Sequence, residues 1–162
     1  MTDIREAALP QHALLQRYAQ QDRCYTDAFT CALTQNVDLW DYIEAFYTTP
    51  LFRAEKAILR VGLIGKSTQW DASRLRDGIS TFAAWIVEDV SERELLMCDV
   101  GGATRSWFAV AQEPAGTRLF FGSAIVPGNE ADRPPLLARL LIGPHRMYSR
   151  ALLRAAARRL AA

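Results

Sequence analysis

The order of the predicted elements is the feature that most constrains this chain. One strand comes first, a helical block follows, consecutive strands come next, and a basic helix ends the sequence. The pattern predicts a single domain over residues 1–162, with a helical lead-in (1–22), a first strand (23–34), helices (37–77), an antiparallel sheet (79–127) and C-terminal helices (135–160). This order favours an α+β fold in which a curved antiparallel β-sheet wraps around a long C-terminal helix. Such a shape tends to leave a cavity.

Composition sets the broad class of the protein. Half of the 162 residues are hydrophobic, which is enough for one domain with its own core. The formal net charge is only +1, so no overall field draws the chain to nucleic acid. The charge is uneven along the chain, because seven arginines and no acidic residue follow position 132.

Three features predict a cytoplasmic protein. The first ten residues, MTDIREAALP, contain acids and lack the apolar core of a secretory signal. No apolar run reaches the roughly 18–20 residues that a membrane span requires. Cys24, Cys31 and Cys98 are odd in number and lack metal-ligand spacing, which is typical of reduced, mostly buried thiols.

The strands predict a specific pairing but leave their orientation open. In 23–34 the residues alternate, and Asp27 falls on the side of the large apolar residues, where a carboxylate needs a partner. Gly101-Gly102 indicates a two-residue hairpin that sets Leu96 opposite Trp107 and, on the other face, Met97 opposite Ser106. The sequence does not tell which face points inward. Gly143-Pro144 is expected to break or kink the C-terminal helix.

Three segments resemble a known superfamily. They are FAAWIVEDVSERELLMCDVGGATRSWFAV, GTRLFFGSAIVP and HRMYSRALLRAAARRL. They are similar to the distal half of START-type helix-grip proteins, which include polyketide cyclases and lipid-transfer domains, and above all to uncharacterised bacterial relatives. The resemblance covers about half of the chain and implies a ligand cavity but no particular reaction. The alternative fold is a cone-shaped domain like that of nuclear transport factor 2, which would place its helices first and end on strands.

The resemblance and the aromatic residues together suggest a ligand site between sheet and helix. Its candidate residues are Phe29, Trp85, Trp107, His145 and Tyr148. Ser149 follows His145 by one helical turn, so this row of the last helix could close the cavity. Asp27 could pair with Arg105 inside the sheet. No cofactor is expected, and no metal site, because His12 and His145 lack a third ligand.

Three functions remain open from the sequence. The protein could bind a small hydrophobic molecule such as a lipid, an isoprenoid or an aromatic compound. It could be a cyclase- or hydratase-type enzyme that uses the same cavity, with His145 or Asp27 as acid–base. It could instead be a non-catalytic interaction protein, either a homodimer through a sheet face or a peripheral membrane protein. The last possibility rests on an arginine stripe spaced by four residues: Arg146, Arg150, Arg154 and Arg158.

Overall fold

Seven strands in the described part of this protein form one antiparallel sheet, and a long helix follows them. The computed structural model describes residues 3–50, 81–82, 85–128 and 136–162. The elements are β1 (Arg5–Glu6), α1 (Gln16–Ala19), β2 (Tyr25–Leu33), α2 (Leu39–Tyr47), β3 (Thr81–Phe82), β4 (Trp85–Val90), β5 (Glu94–Asp99), β6 (Thr104–Glu113), β7 (Gly116–Ile125) and α3 (Leu136–Leu160). The α+β class is therefore confirmed. The helices predicted between 51 and 77 lie outside the described residues.

The strand order places the first long strand beside the last one. The sheet runs β1-β2-β7-β6-β5-β4-β3, with every neighbouring pair antiparallel. The predicted register of β5 and β6 is confirmed, because Leu96 lies opposite Trp107 and Met97 opposite Ser106. The expected two-residue loop is wrong, since residues 100–103 connect these strands. The Asp99 carboxylate stabilises the longer turn by accepting hydrogen bonds from two backbone N–H groups within the connection and just after it.

One face of the sheet, here called the inner face, packs against α2 and α3. Its central row is fully apolar and buried: Phe29, Leu95, Phe108 and Phe121. Helix α2 begins where the Asp38 carboxylate accepts a hydrogen bond from the Asp41 N–H, so Asp38 caps the helix. Tyr42 and Phe46 of this helix make edge-on contacts with Phe108. This row is packed with protein atoms and leaves no ligand space of its own.

The opposite face, here called the outer face, is covered by residues 7–21, which we call the N-terminal strap. Leu15 of the strap and Trp107 of β6 are both fully buried there. Both approach Gly122, where a Cβ atom would lie 2.9 Å from each side chain. A glycine at this position of β7 lets the strap and the tryptophan close over the sheet.

The predicted helical lead-in is wrong over most of its length. Only Gln16–Ala19 form a helix, while Arg5–Glu6 form a strand that pairs with β2. Pro10 interrupts the segment, and the apolar side chains of Leu15 and Tyr18 gain more burial against the outer face than a short isolated helix would provide.

Helix α3 continues through the expected break. It runs from Leu136 to Leu160 with Pro144 in its interior. The proline removes the N–H that would bond to the Leu140 carbonyl, but Leu140, Gly143 and Pro144 are all exposed, so water can satisfy that carbonyl. Within the described residues, no helix is both long and apolar enough to span a bilayer.

Candidate functional site

A polar patch interrupts the inner face next to its aromatic row. The strand register aligns five residues across the sheet: Val87, Met97, Ser106, Ser123 and Asp27. Three neighbours in this row are polar, although the row lies on the same face as the helix α3. Polar groups that are buried in this way require hydrogen-bond partners.

Asp27 finds its partners in two hydroxyl groups. Asp27 is only 6% exposed. Tyr25 donates a hydrogen bond to Oδ2 over 3.0 Å, and Ser123 donates one to Oδ1 over 2.6 Å. Burial, and then the nearby Asp27 carboxylate, raise the pKa of Tyr25 above its usual value, so its hydroxyl keeps the proton that it donates. The carboxylate is therefore satisfied from both sides.

His145 joins this arrangement from helix α3. Its Nε2 atom lies 2.8 Å from the Ser123 Oγ and 3.5 Å from the Ser149 Oγ. The spacing of His145, Ser149 and Leu152 places them on the side of α3 that faces the sheet, where the latter two are buried. We call Asp27, Ser123, His145 and Ser149 the inner polar cluster.

The protons of the inner polar cluster can be assigned by counting donors. Ser123 has one proton, which it donates to Asp27, so its oxygen must accept from His145. His145 therefore carries a proton on Nε2, and in the neutral imidazole Nδ1 is left as the acceptor. Within the described part of the chain, nothing bonds to Nδ1. The residue as a whole is half-buried.

Four of the five residues predicted for the ligand site lie on the inner side of the sheet. Phe29 is fully buried beneath the guanidinium groups of Arg146 and Arg150, so protein atoms cover its whole surface. Trp85 and Tyr148 are half-buried and pack against the edge of the inner core. His145 bonds to the sheet as described above. These residues and the inner polar cluster are therefore on one side of the sheet.

Trp107 lies on the other side, and its expected position beside the helix is wrong. The side chain is buried on the outer face, and its Nε1 donates a hydrogen bond to the Glu94 carboxylate over 2.7 Å. The same carboxylate oxygen accepts the backbone N–H of Leu14 over 2.8 Å. Trp107 thus holds the N-terminal strap and does not face α3.

The expected pair of Asp27 with Arg105 is also wrong, because the two side chains are on opposite faces. Arg105 lies on the outer face, where its Nε donates to the Glu88 carboxylate and to the Tyr18 hydroxyl. Neighbouring residues of a strand point to opposite sides, and Arg105 is one position away from the row that contains Asp27 and Ser106. This ion pair anchors the strap.

The arginine stripe of α3 divides into two pairs that differ in their contacts. Arg146 donates hydrogen bonds to Glu6 and Tyr25, and Arg150 donates one to the Ile4 carbonyl. These two arginines therefore tie α3 to β2 and to the segment around β1. Arg154 and Arg158 are exposed and have no hydrogen bond or ion pair within the described residues.

Two open clefts that described residues line lie away from the inner polar cluster. One, of about 490 Å³, lies between the strap and the 100–103 turn, beside Tyr18 and Arg105. The other, of about 340 Å³, lies between α2 and the end of α3, beside Asp41 and Arg159. Neither contains His145 or Trp85.

Ser123 and Tyr25 are the site residues that the sequence analysis missed. Ser123 is the only hydroxyl in the segment LFFGSAIV, so a lone polar residue within an apolar strand was the available signal. That signal gained meaning only when the register placed it opposite Asp27.

Among the described residues, no three His, Cys, Asp or Glu side chains are grouped as metal ligands would be. No protein-family model matches the chain, and no curated protein is significantly similar to it.

Proposed function

We propose that this is a cytoplasmic binding protein for a small, largely apolar molecule that carries one hydroxyl group. The observation that supports the proposal is the unbonded Nδ1 of His145 at a half-buried position. An oriented acceptor of this kind suits a hydroxyl donor, because a donor lost from water regains its hydrogen bond there. A lipid, isoprenoid or aromatic alcohol would have this chemistry.

The inner side of the sheet provides the apolar part of the proposed site. Trp85 and Tyr148 are half-buried on the inner side, and Val87 and Ser106 extend the same surface. The Ser106 hydroxyl has no side-chain partner in the described part of the chain, so it could bond to the same ligand. Since the Phe29 row is filled with protein atoms, the ligand would bind at the polar row and not over the whole inner face.

This proposal includes a helix-grip fold of the START type. In its favour, the long strand β2 and the helix α2 precede the other strands of the sheet's core, and the last described helix packs on the sheet. A domain like nuclear transport factor 2 would end on strands instead. The free thiols of Cys24, Cys31 and Cys98 agree with a reducing compartment.

Acid–base catalysis is the second candidate, and one observation favours it. Asp27 and Ser123 hold the Nε2 proton of His145, which leaves the lone pair of Nδ1 available to act as a base. A cyclase- or hydratase-type reaction needs such a base. The two candidates share a site but differ in whether the bound molecule is chemically changed.

The test starts with native mass spectrometry of protein purified from its own host, followed by extraction under denaturing conditions. We expect one small molecule per chain, lost in His145→Ala and kept in the control His12→Ala, because His12 is exposed. His145→Gln separates the candidates, since the amide can bond like the ring but cannot act as a base. If the protein only binds its ligand, this variant should still bind it. If the protein is an enzyme, the variant should bind the substrate but no longer convert it. A wild-type protein with no bound molecule and no affinity for apolar alcohols contradicts both.

A further inference from the structure

The exposed side of helix α3 combines large apolar side chains with arginines. Leu140 and Met147 are 68% and 75% exposed, which is unusual for residues of this size. They are seven residues apart, so they lie on the same side of the helix. Arg139, Arg154 and Arg158 are exposed on α3 as well. We call these five residues the basic helix face.

The arginines of the basic helix face have no acidic partner among the described residues. Within the part of the chain that the structure describes, Arg139, Arg154 and Arg158 form no ion pair. Acidic residues are also absent from the sequence after position 132. Arg146 differs from them because it donates to Glu6. Positive charge at the basic helix face therefore remains available to an external anion.

The other side of α3 is already occupied by the core. Ser149, Leu152 and Leu153 are buried against the sheet and α2, and Ala156 and Ala157 are fully buried. The helix is thus held in place by one side while it presents Leu140 and Met147 on the other. A fixed helix can dock without the cost of folding on its partner.

We propose that the basic helix face docks on the surface of an anionic lipid bilayer. Arginines around exposed apolar side chains are typical of helices that lie in a membrane interface, where the cations bind lipid phosphates and the apolar groups enter the acyl boundary. A nucleic acid would attract the arginines but would give Met147 no apolar surroundings. The proposal does not depend on the ligand at His145.

The test uses the full-length protein and vesicles of phosphatidylcholine, with and without phosphatidylglycerol, in a co-sedimentation assay. We expect binding to the anionic vesicles only, and weaker binding as salt is added. Arg154→Ala/Arg158→Ala should lower the affinity about 25-fold, or roughly fivefold for each arginine. The control Arg5→Ala/Arg93→Ala removes the same charge from exposed positions elsewhere and should bind like the wild type.

The apolar contribution has its own pair of variants. Met147→Ser should weaken binding several-fold, while Val100→Ser, at a 64% exposed position on the 100–103 turn, should not. Equal binding to neutral and anionic vesicles, or equal losses in the two double-arginine variants, would overturn the proposal. Binding to polyglutamate without binding to any vesicle would also overturn it, because the partner would then be an acidic polypeptide. None of these results would count for or against the proposed ligand binding at His145.

Discussion

The imidazole of His145 on α3 meets the hydroxyl of Ser123 on β7 at 2.8 Å, and this contact joins the C-terminal helix to the polar row of the sheet. Ser123 in turn donates to Asp27 on β2. The contact therefore connects the last helix with two strands that are about a hundred residues apart in sequence. Its direction, with His145 as donor, underlies the proposed function.

The proton on His145 Nε2 can be detected directly. We expect a ring N–H signal of His145 in the downfield proton NMR spectrum, because the bond to Ser123 slows its exchange with water. Ser123→Ala should remove that signal by removing the acceptor. His12 is an internal control, since its exposed ring should give no such signal in either protein. A signal that arises from Nδ1 instead would contradict the assignment of donor and acceptor.

Asp27 should contribute to stability through its two hydroxyl donors. Asp27→Ala leaves the Ser123 and Tyr25 hydroxyl groups without their acceptor in a buried setting. We expect a loss of about 1–3 kcal/mol in the free energy of unfolding, measured by urea denaturation. Asp22→Ala is the matched control, because Asp22 is exposed, and it should change stability by less than about 0.5 kcal/mol. Equal effects of the two substitutions would mean that the bonds to Asp27 are not stabilising.

The N-terminal strap should be held by Glu94. Glu94→Ala removes the acceptor for both the Trp107 ring N–H and the Leu14 backbone N–H. We expect a loss of about 1–3 kcal/mol in stability and faster trypsin cleavage after Arg17, which lies in the strap. Trypsin should cleave Glu92→Ala, a variant in the exposed turn before the same strand, at the wild-type rate. An unchanged cleavage rate for Glu94→Ala would show that apolar contacts alone hold the strap.

The buried thiol of Cys31 should lower the free energy of unfolding at alkaline pH. Burial raises the pKa of Cys31 from about 9 to about 11, since the folded protein disfavours its thiolate. Between these values the unfolded chain releases the proton and the folded chain keeps it, so stability falls as pH rises. The expected total is about 2–3 kcal/mol. Comparing pH-dependent urea unfolding of the wild type with Cys31→Ala isolates this contribution, because all other titrating groups are shared. Parallel curves for the two proteins would contradict it.

Several parts of the fold followed from local patterns. Alternation predicted β2 and the sheet, and the hairpin predicted the pairing of Leu96 with Trp107, because a strand register is set by the nearest turn. Local rules failed where distant contacts outweighed them. Most of the lead-in is not helical, because its apolar side chains pack on the outer face instead. Helix α3 is continuous through Pro144, because the positions around the proline are exposed.

The sequence by itself determined β2, α2 and the strands of the sheet, the register of β5 with β6 and the presence of a polar residue, Asp27, on an apolar strand side. Period-two alternation divides residues into two faces but is symmetric, so it could not tell which face meets α3. Only the tertiary structure decided that, by placing the strap over Trp107 and the helix over Asp27. It also supplied Ser123, because a contact between β2, β7 and α3 depends on packing between segments that no local pattern connects.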